Sequence, residues 1–189
     1  MNTRDSKVKI LEAVITLFND SGLKFTMDDV AKAVGMSKKT IYVLFRDKED
    51  LFYQMVDYCF DSIKESEQEV LDDPALTTPE RIRAILGVMP DRYKDIDLRN
   101  LYILKDRFPA IFAHVQERLE NDWEPTLSLL RKGMEEGSVR QVSLPIFKMM
   151  LEAAIEQFFQ RDVLIENHLT YNEGLAEVVR ILVDGILVR

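Results

Sequence analysis

Thr26-Met27-Asp28-Asp29-Val30-Ala31-Lys32-Ala33-Val34-Gly35-Met36-Ser37-Lys38-Lys39-Thr40-Ile41-Tyr42-Val43-Leu44-Phe45-Arg46-Asp47-Lys48-Glu49-Asp50-Leu51 reads as two short helices joined by a tight turn, with a third helix beginning behind them. Thr26 and Ser37 are good N-cap types, because a hydroxyl can accept a bond from an early helix amide. Asp28 and Asp29 fall in a first turn, where negative charge suits the helix dipole. Gly35 lies between the two patterns, where a sharply turning chain favours φ > 0. The second helix carries Lys38, Lys39, Thr40 and Tyr42 on one side, while Ile41, Phe45 and Leu44 point to a core. A short helix with a basic, hydroxyl-bearing front and an apolar back suits entry into a DNA major groove.

Outward from this stretch the chain reads as all-α, with about nine helices. Val8, Leu11, Ile15 and Phe18 recur at helical spacing and give a first helix that stops near Gly22. A fourth helix starts around Asp47, capped by it, and runs to about Leu71 before Asp72-Asp73-Pro74. Thr78-Pro79-Glu80 restarts a helix, with Thr78 as cap, that ends near Pro90. A short helix is expected from Leu98 to Lys105. A long one opens at Phe108-Pro109 and runs to Met134, kinked at Pro125, with Gly133 and Gly137 marking its end. Ser143 caps the next, through Pro145 to about Ile165. Thr170 and Glu173 fit a capping box for the last helix. No sustained strand alternation, repeat or low-complexity tract interrupts this reading.

The 189 residues carry a net charge of −8, which on its face argues against a polyanionic partner. The distribution matters more than the total. Residues 1–50 carry a net +1 and the remainder −9, and within 37–48 four basic side chains face Asp47 alone. Such asymmetry orients the N-terminal end toward phosphates and repels the rest. No apolar run approaches the eighteen or so residues of a membrane span. The polar start (Asn2, Thr3, Arg4, Asp5) is unlike a secretory leader, and the single Cys59 excludes an internal disulfide framework, so a reducing cytoplasm is expected.

From Arg4 to Phe52 the chain resembles the DNA-binding domain of the TetR family of transcriptional regulators. The resemblance is carried by Ile10-Leu11-Glu12-Ala13, Leu17-Phe18, Gly22, Thr26 to Ala31, Gly35 to Tyr42 and Phe45 to Leu51, about a quarter of the chain. Phe108-Pro109, Gly137 and Leu144-Pro145 extend it more loosely. It implies a DNA-binding domain at 1–48 and a helical ligand-binding and dimerisation domain at 49–189. It also implies a homodimer on a palindromic double-stranded operator. Thr26, Ser37, Lys38, Lys39, Thr40, Tyr42 and Lys48 match the DNA-binding positions. Lysine can donate to guanine O6 or N7, and the family uses the Tyr42 hydroxyl and the Lys48 ammonium on phosphate. Val43 and Leu44 depart from the family, which often carries aromatic or polar DNA-touching residues there. Leu44 can still meet a thymine methyl.

Leu175, Val179, Leu182 and Ile186 recur at spacings of four, three and four, and Leu151, Ile155 and Phe158 do the same on the preceding helix. Both helices are apolar over wide faces, suiting burial on two sides. The resemblance makes these seven the dimer seam. It also implies a pocket for a small apolar ligand, for which Met89, Tyr102, Phe108, Phe112, Trp123, Met134, Met149, Met150 and Phe159 are the candidates, although such stripes are more often simple core. His114 and His168 stand too far apart in sequence to suggest a metal site, and no cofactor is expected. The chain has no Gly-rich phosphate loop and no His-Glu-x-x-His, so an enzyme is not expected. The expected function is a repressor released from its operator by a ligand. The alternatives are a regulator of the same fold without a small-molecule effector, and a helical interaction module that has lost DNA binding.

Overall fold

The computed structural model describes residues 3–90, 93, 104–160 and 163–188, with the side chains of Phe159 and Gln160 outside the description. Ten helices have described bounds: α1 (Thr3–Ser21), α2 (Met27–Val34), α3 (Lys38–Leu44), α4 (Lys48–Asp72), α5 (Thr78–Leu86), α6 (Pro109–Glu120), α7 (Glu124–Glu135), α8 (Leu144–Gln160), α9 (Val163–Glu166) and α10 (Tyr171–Ile186). Residues 104–107 are also helical. A 3-10 turn, Gly22–Lys24, follows α1. Among the described residues there is no β-strand, only an isolated antiparallel bridge between Val139 and Leu187. The fold is all-α.

The chain packs as two units. The first takes in residues 1–61 and 96–116, the second 62–95 and 117–189. The first unit is thus larger than the segment 1–48 read as the DNA-binding domain. Its core gathers Ile10, Val14 and Phe18 of α1, Val30 of α2, Ile41 of α3, Phe45, and Leu51 and Phe52 of α4, all nearly sealed from solvent. The Phe52 ring meets Phe18, Phe25 and Phe108 with centroids 5.4–5.7 Å apart. Fully burying each such side chain contributes roughly 1.5–3 kcal/mol.

In the second unit α5 packs on α7, and α10 on α8 and α5. The core joins Ile82, Ile85, Leu130, Val139, Phe147, Leu151, Leu175, Val179, Val183 and Ile186. Three helix starts are fixed by reciprocal capping boxes: Thr26 with Asp29, Thr77 with Glu80, and Thr170 with Glu173. The cap of α5 is therefore Thr77 and not Thr78. Only Thr77 stands three residues before Glu80, and Thr78 is buried in the first turn. The long helix expected from Phe108 to Met134 is two helices. Asp122 turns left-handed at φ 62° between them. Pro125 then sits in the first turn of α7, where its missing N–H costs nothing. The helix expected to reach Ile165 ends at Gln160, with α9 following. Most of the helix expected at 98–105 lies outside the described residues.

Gly133 does not end a helix. It lies inside α7, where an added Cβ would come within 2.6 Å of Val139 Cγ2 and 3.3 Å of Ile82 Cδ1. Its lack of a side chain lets the 138–140 segment close over the core. That segment donates the Arg140 N–H to the Ile186 carbonyl (2.9 Å) and accepts the Val188 N–H on the Ser138 carbonyl (3.0 Å).

Candidate nucleic-acid interface

The turn between α2 and α3 is built entirely from local chemistry. Thr26 Oγ1 accepts from the Asp29 amide (3.3 Å), and the Asp29 carboxylate takes both the Thr26 N–H (2.8 Å) and its hydroxyl (2.7 Å). Those bonds from Thr26 hold the Asp29 carboxyl below its usual range. At the other end Gly35 adopts φ 67°, its N–H bonding the Lys32 carbonyl while Met36 N–H bonds Ala31 (2.9 Å). This is a Schellman closure, which needs a left-handed residue at that point. Ser37 then caps α3 by accepting from the Thr40 amide at 3.1 Å.

With both ends fixed, α3 presents two distinct sides. Ile41 and the following Phe45 are completely buried, and Leu44 is half-buried. Lys38, Lys39, Thr40, Tyr42 and Val43 are exposed, Val43 at 76%. At that exposure Val43 presents an open apolar surface, of the kind that can meet a thymine methyl.

The polar residues expected to meet DNA differ in what they already hold. Ser37 and Thr40 share a hydroxyl–hydroxyl bond of 2.8 Å. Lys38 Nζ donates to Asp28 Oδ2 at 2.9 Å. Lys39 makes no hydrogen bond or ion pair among the described residues. Lys48 is placed differently from its expected reach to phosphate. Its ammonium donates to the Leu23 carbonyl (2.6 Å) and the Phe25 carbonyl, and lies 4.4 Å from the Phe25 ring centroid. Burial, aided by the Arg107 charge, pushes this ammonium below the usual lysine range. It closes the carbonyl end of the 3-10 turn, which a cation suits. Sequence spacing could not distinguish this inward lysine from a phosphate ligand.

Residues 10–55 match the family model described as "Bacterial regulatory proteins, tetR family". These residues, about a quarter of the chain, are similar to the DNA-binding segment of the TetR family. Over nearly its whole length the chain resembles the uncharacterized HTH-type transcriptional regulator YvaF of Bacillus subtilis, 24% identical with 94% of each chain covered. A shorter match, 41% identical over 56 residues, joins it to IcaR of Staphylococcus aureus, a negative transcriptional regulator of a biofilm operon, covering 29% of this chain and 30% of IcaR. Among solved structures, FadR of Bacillus subtilis in complex with stearoyl-CoA shares the fold, with TM-score 0.62, 17% identity, and 95% of this chain and 98% of that chain covered. The chain is thus similar to helix-turn-helix transcriptional regulators, and among its described residues no helix is long and apolar enough to cross a membrane.

The residues read as a dimer seam are placed mostly inward. Leu151, Leu175, Val179 and Ile186 are at most 5% exposed within their own unit, and Ile155, Phe158 and Leu182 are half-buried. Four of the seven thus fill the core of their own unit. The outward apolar side chains of the same two helices are Ile146, Met149 and Met150 of α8 and Ile181 of α10, 49–58% exposed.

The residues read as a ligand pocket are divided between the two units. Phe108 and Phe112 belong to the first unit. In the second, Trp123 and Met134 lie against the core, and Trp123 Nε1 donates to the Leu119 carbonyl at 2.9 Å. Met149 and Met150 face outward. Met89 lines a shallow groove of about 430 Å³ with Ser66, Glu69, Val70 and Asp73. Tyr102 lies outside the described residues, as does the Phe159 side chain.

Proposed function

We propose that this regulator is a homodimeric repressor that grips a palindromic double-stranded operator through two copies of α3 and lets go when a small apolar ligand binds. The observation that carries the DNA half is the two-sided α3: Ile41 and Phe45 lock its back, while Lys39, Thr40, Tyr42 and Val43 stand exposed at its front. In this reading residues 1–48 read DNA and 49–189 dimerise and sense. The negative role of IcaR supports repression, and the acyl-CoA held by FadR supports an apolar effector. Release requires that the effector bind the non-operator state better by a few kcal/mol. The chain is cytoplasmic and not an enzyme in this reading. The dimer seam is the outward side of α8 and α10 around Met149, Met150 and Ile181, with Ile155, Phe158 and Leu182 at its margin.

The test is selection of bound duplexes from a random pool, repeated with stearoyl-CoA and with cell extract. A palindrome recovered without additions and lost with either one supports the whole reading. A palindrome that survives every addition favours the second reading, a regulator of this fold without a small-molecule effector.

A further inference from the structure

Lys38 and Lys39 are neighbours in sequence, yet only one is at liberty. Lys39 is exposed and holds nothing, whereas Lys38 reaches back from α3 to α2 and bonds Asp28 at 2.9 Å. Asp28 is not needed for capping. Asp29 forms the box with Thr26, and Asp28 takes no part in it. A first-turn aspartate does favour the helix dipole, but that role does not require a side chain ten residues away. Both members of the pair remain half-exposed, at 51% and 54%, so the bond is one that solvent or a competing anion can replace. The bond to Asp28 also holds the Lys38 ammonium above its usual range, in keeping with a full charge–charge contact.

We propose that Asp28 is a built-in competitor of the phosphate backbone, latching Lys38 in the free protein, so that Lys39 makes the first lysine contact and Lys38 joins only as Asp28 is displaced. This rests on α3 being the DNA-reading helix. A free lysine that neutralises a phosphate releases condensed counterions and steepens the salt dependence by about 0.9 per contact. A latched lysine releases fewer, because the carboxylate it leaves behind recruits a cation in turn. Asp28 thereby lowers affinity for every duplex by a similar factor without touching base preference, and a site with base contacts retains useful affinity because those contacts offset the exchange.

The experiment measures binding to a random-sequence 30-base-pair duplex, at about 50 to 200 mM salt, for the wild type, Asp28→Asn, Lys38→Met and the double variant. Thermal unfolding confirms that each is folded. Asp28→Asn is expected to bind about two- to fivefold tighter, the range of an exposed ion pair, with a steeper salt slope. In the Lys38→Met background the same change is expected to have much less effect, because nothing is left to unlatch. An equal gain in both backgrounds would mean simple charge repulsion and would overturn the latch, as would no gain in either. A folded wild type that ignores the duplex even at the lowest salt would instead remove the DNA-reading role of α3, a separate failure.

Discussion

At the scale of single residues, Lys48 is the most informative disagreement between spacing and geometry. A lysine at the start of a helix behind a helix-turn-helix reads as a phosphate ligand, but this one is consumed by two carbonyls and an aromatic face. Replacing it with Met leaves the Leu23 and Phe25 carbonyls without their charged donor. Lys48→Met is expected to cost about 1–3 kcal/mol of stability, read by denaturant unfolding, with the salt slope of DNA binding unchanged. Lys39→Ala is expected to do the reverse, leaving stability alone and flattening the slope by about 0.9. A Lys48→Met protein of normal stability and flattened slope would return that ammonium to the phosphate. Asp28 was equally hidden from the sequence, because its partnership with Lys38 depends on the angle between two helices and not on any local rule.

At the scale of helices, what could be read in advance was what is decided within four residues. The Thr170–Glu173 box, the Ser37 cap and the left-handed Gly35 are all local, and all three occur as read. The Thr78 cap missed by one residue because Thr77 and Thr78 are chemically equal and only the spacing to Glu80 separates them. Pro125 misled because a proline fits the first turn of a new helix as well as a kink in an old one. The capping carboxyls of Glu80 and Glu173 are held below their usual values by bonds from their threonines. A depressed carboxyl gives stability that is complete above its unfolded pKa, about 4.3, and fades as pH falls through the lower folded value. Glu173→Gln is therefore expected to destabilise at neutral pH, with the difference from wild type closing in acid. A gap constant down to pH 2 would contradict the assignment. Gly133→Ala sets two effects against each other. Alanine gains about 1 kcal/mol in a helix interior, but the new methyl strikes a buried, stiff Val139 and overpacking costs about 1–3 kcal/mol. The clash is expected to win, and the Gly133→Ala, Val139→Ala pair should recover part of the loss. A single variant more stable than wild type would show that the 138–140 segment yields easily.

At the scale of the whole molecule, the apolar stripes of α8 and α10 were legible but their destination was not. Periodicity reports that a face is buried and is silent on which chain buries it. Leu151, Leu175, Val179 and Ile186 fill their own core, leaving Ile146, Met149, Met150 and Ile181 facing out. In the proposed dimer these outward side chains form the seam. Ile181→Glu is expected to convert a dimer into a folded monomer by sedimentation and to weaken operator binding at least tenfold, since one α3 then acts without its twin. An unchanged dimer would move the seam elsewhere.

The same outward face has a chemical vulnerability. Two of its largest members are thioethers, and peroxide turns a methionine sulfur into a polar, chiral sulfoxide. A lone chain leaves Met149 and Met150 open to that attack, whereas a partner seated over them would act as their shield. In the proposed dimer the rate at which these sulfurs take up oxygen would trace the lifetime of the pair, and an oxidatively aged preparation would lose its quaternary state before its fold.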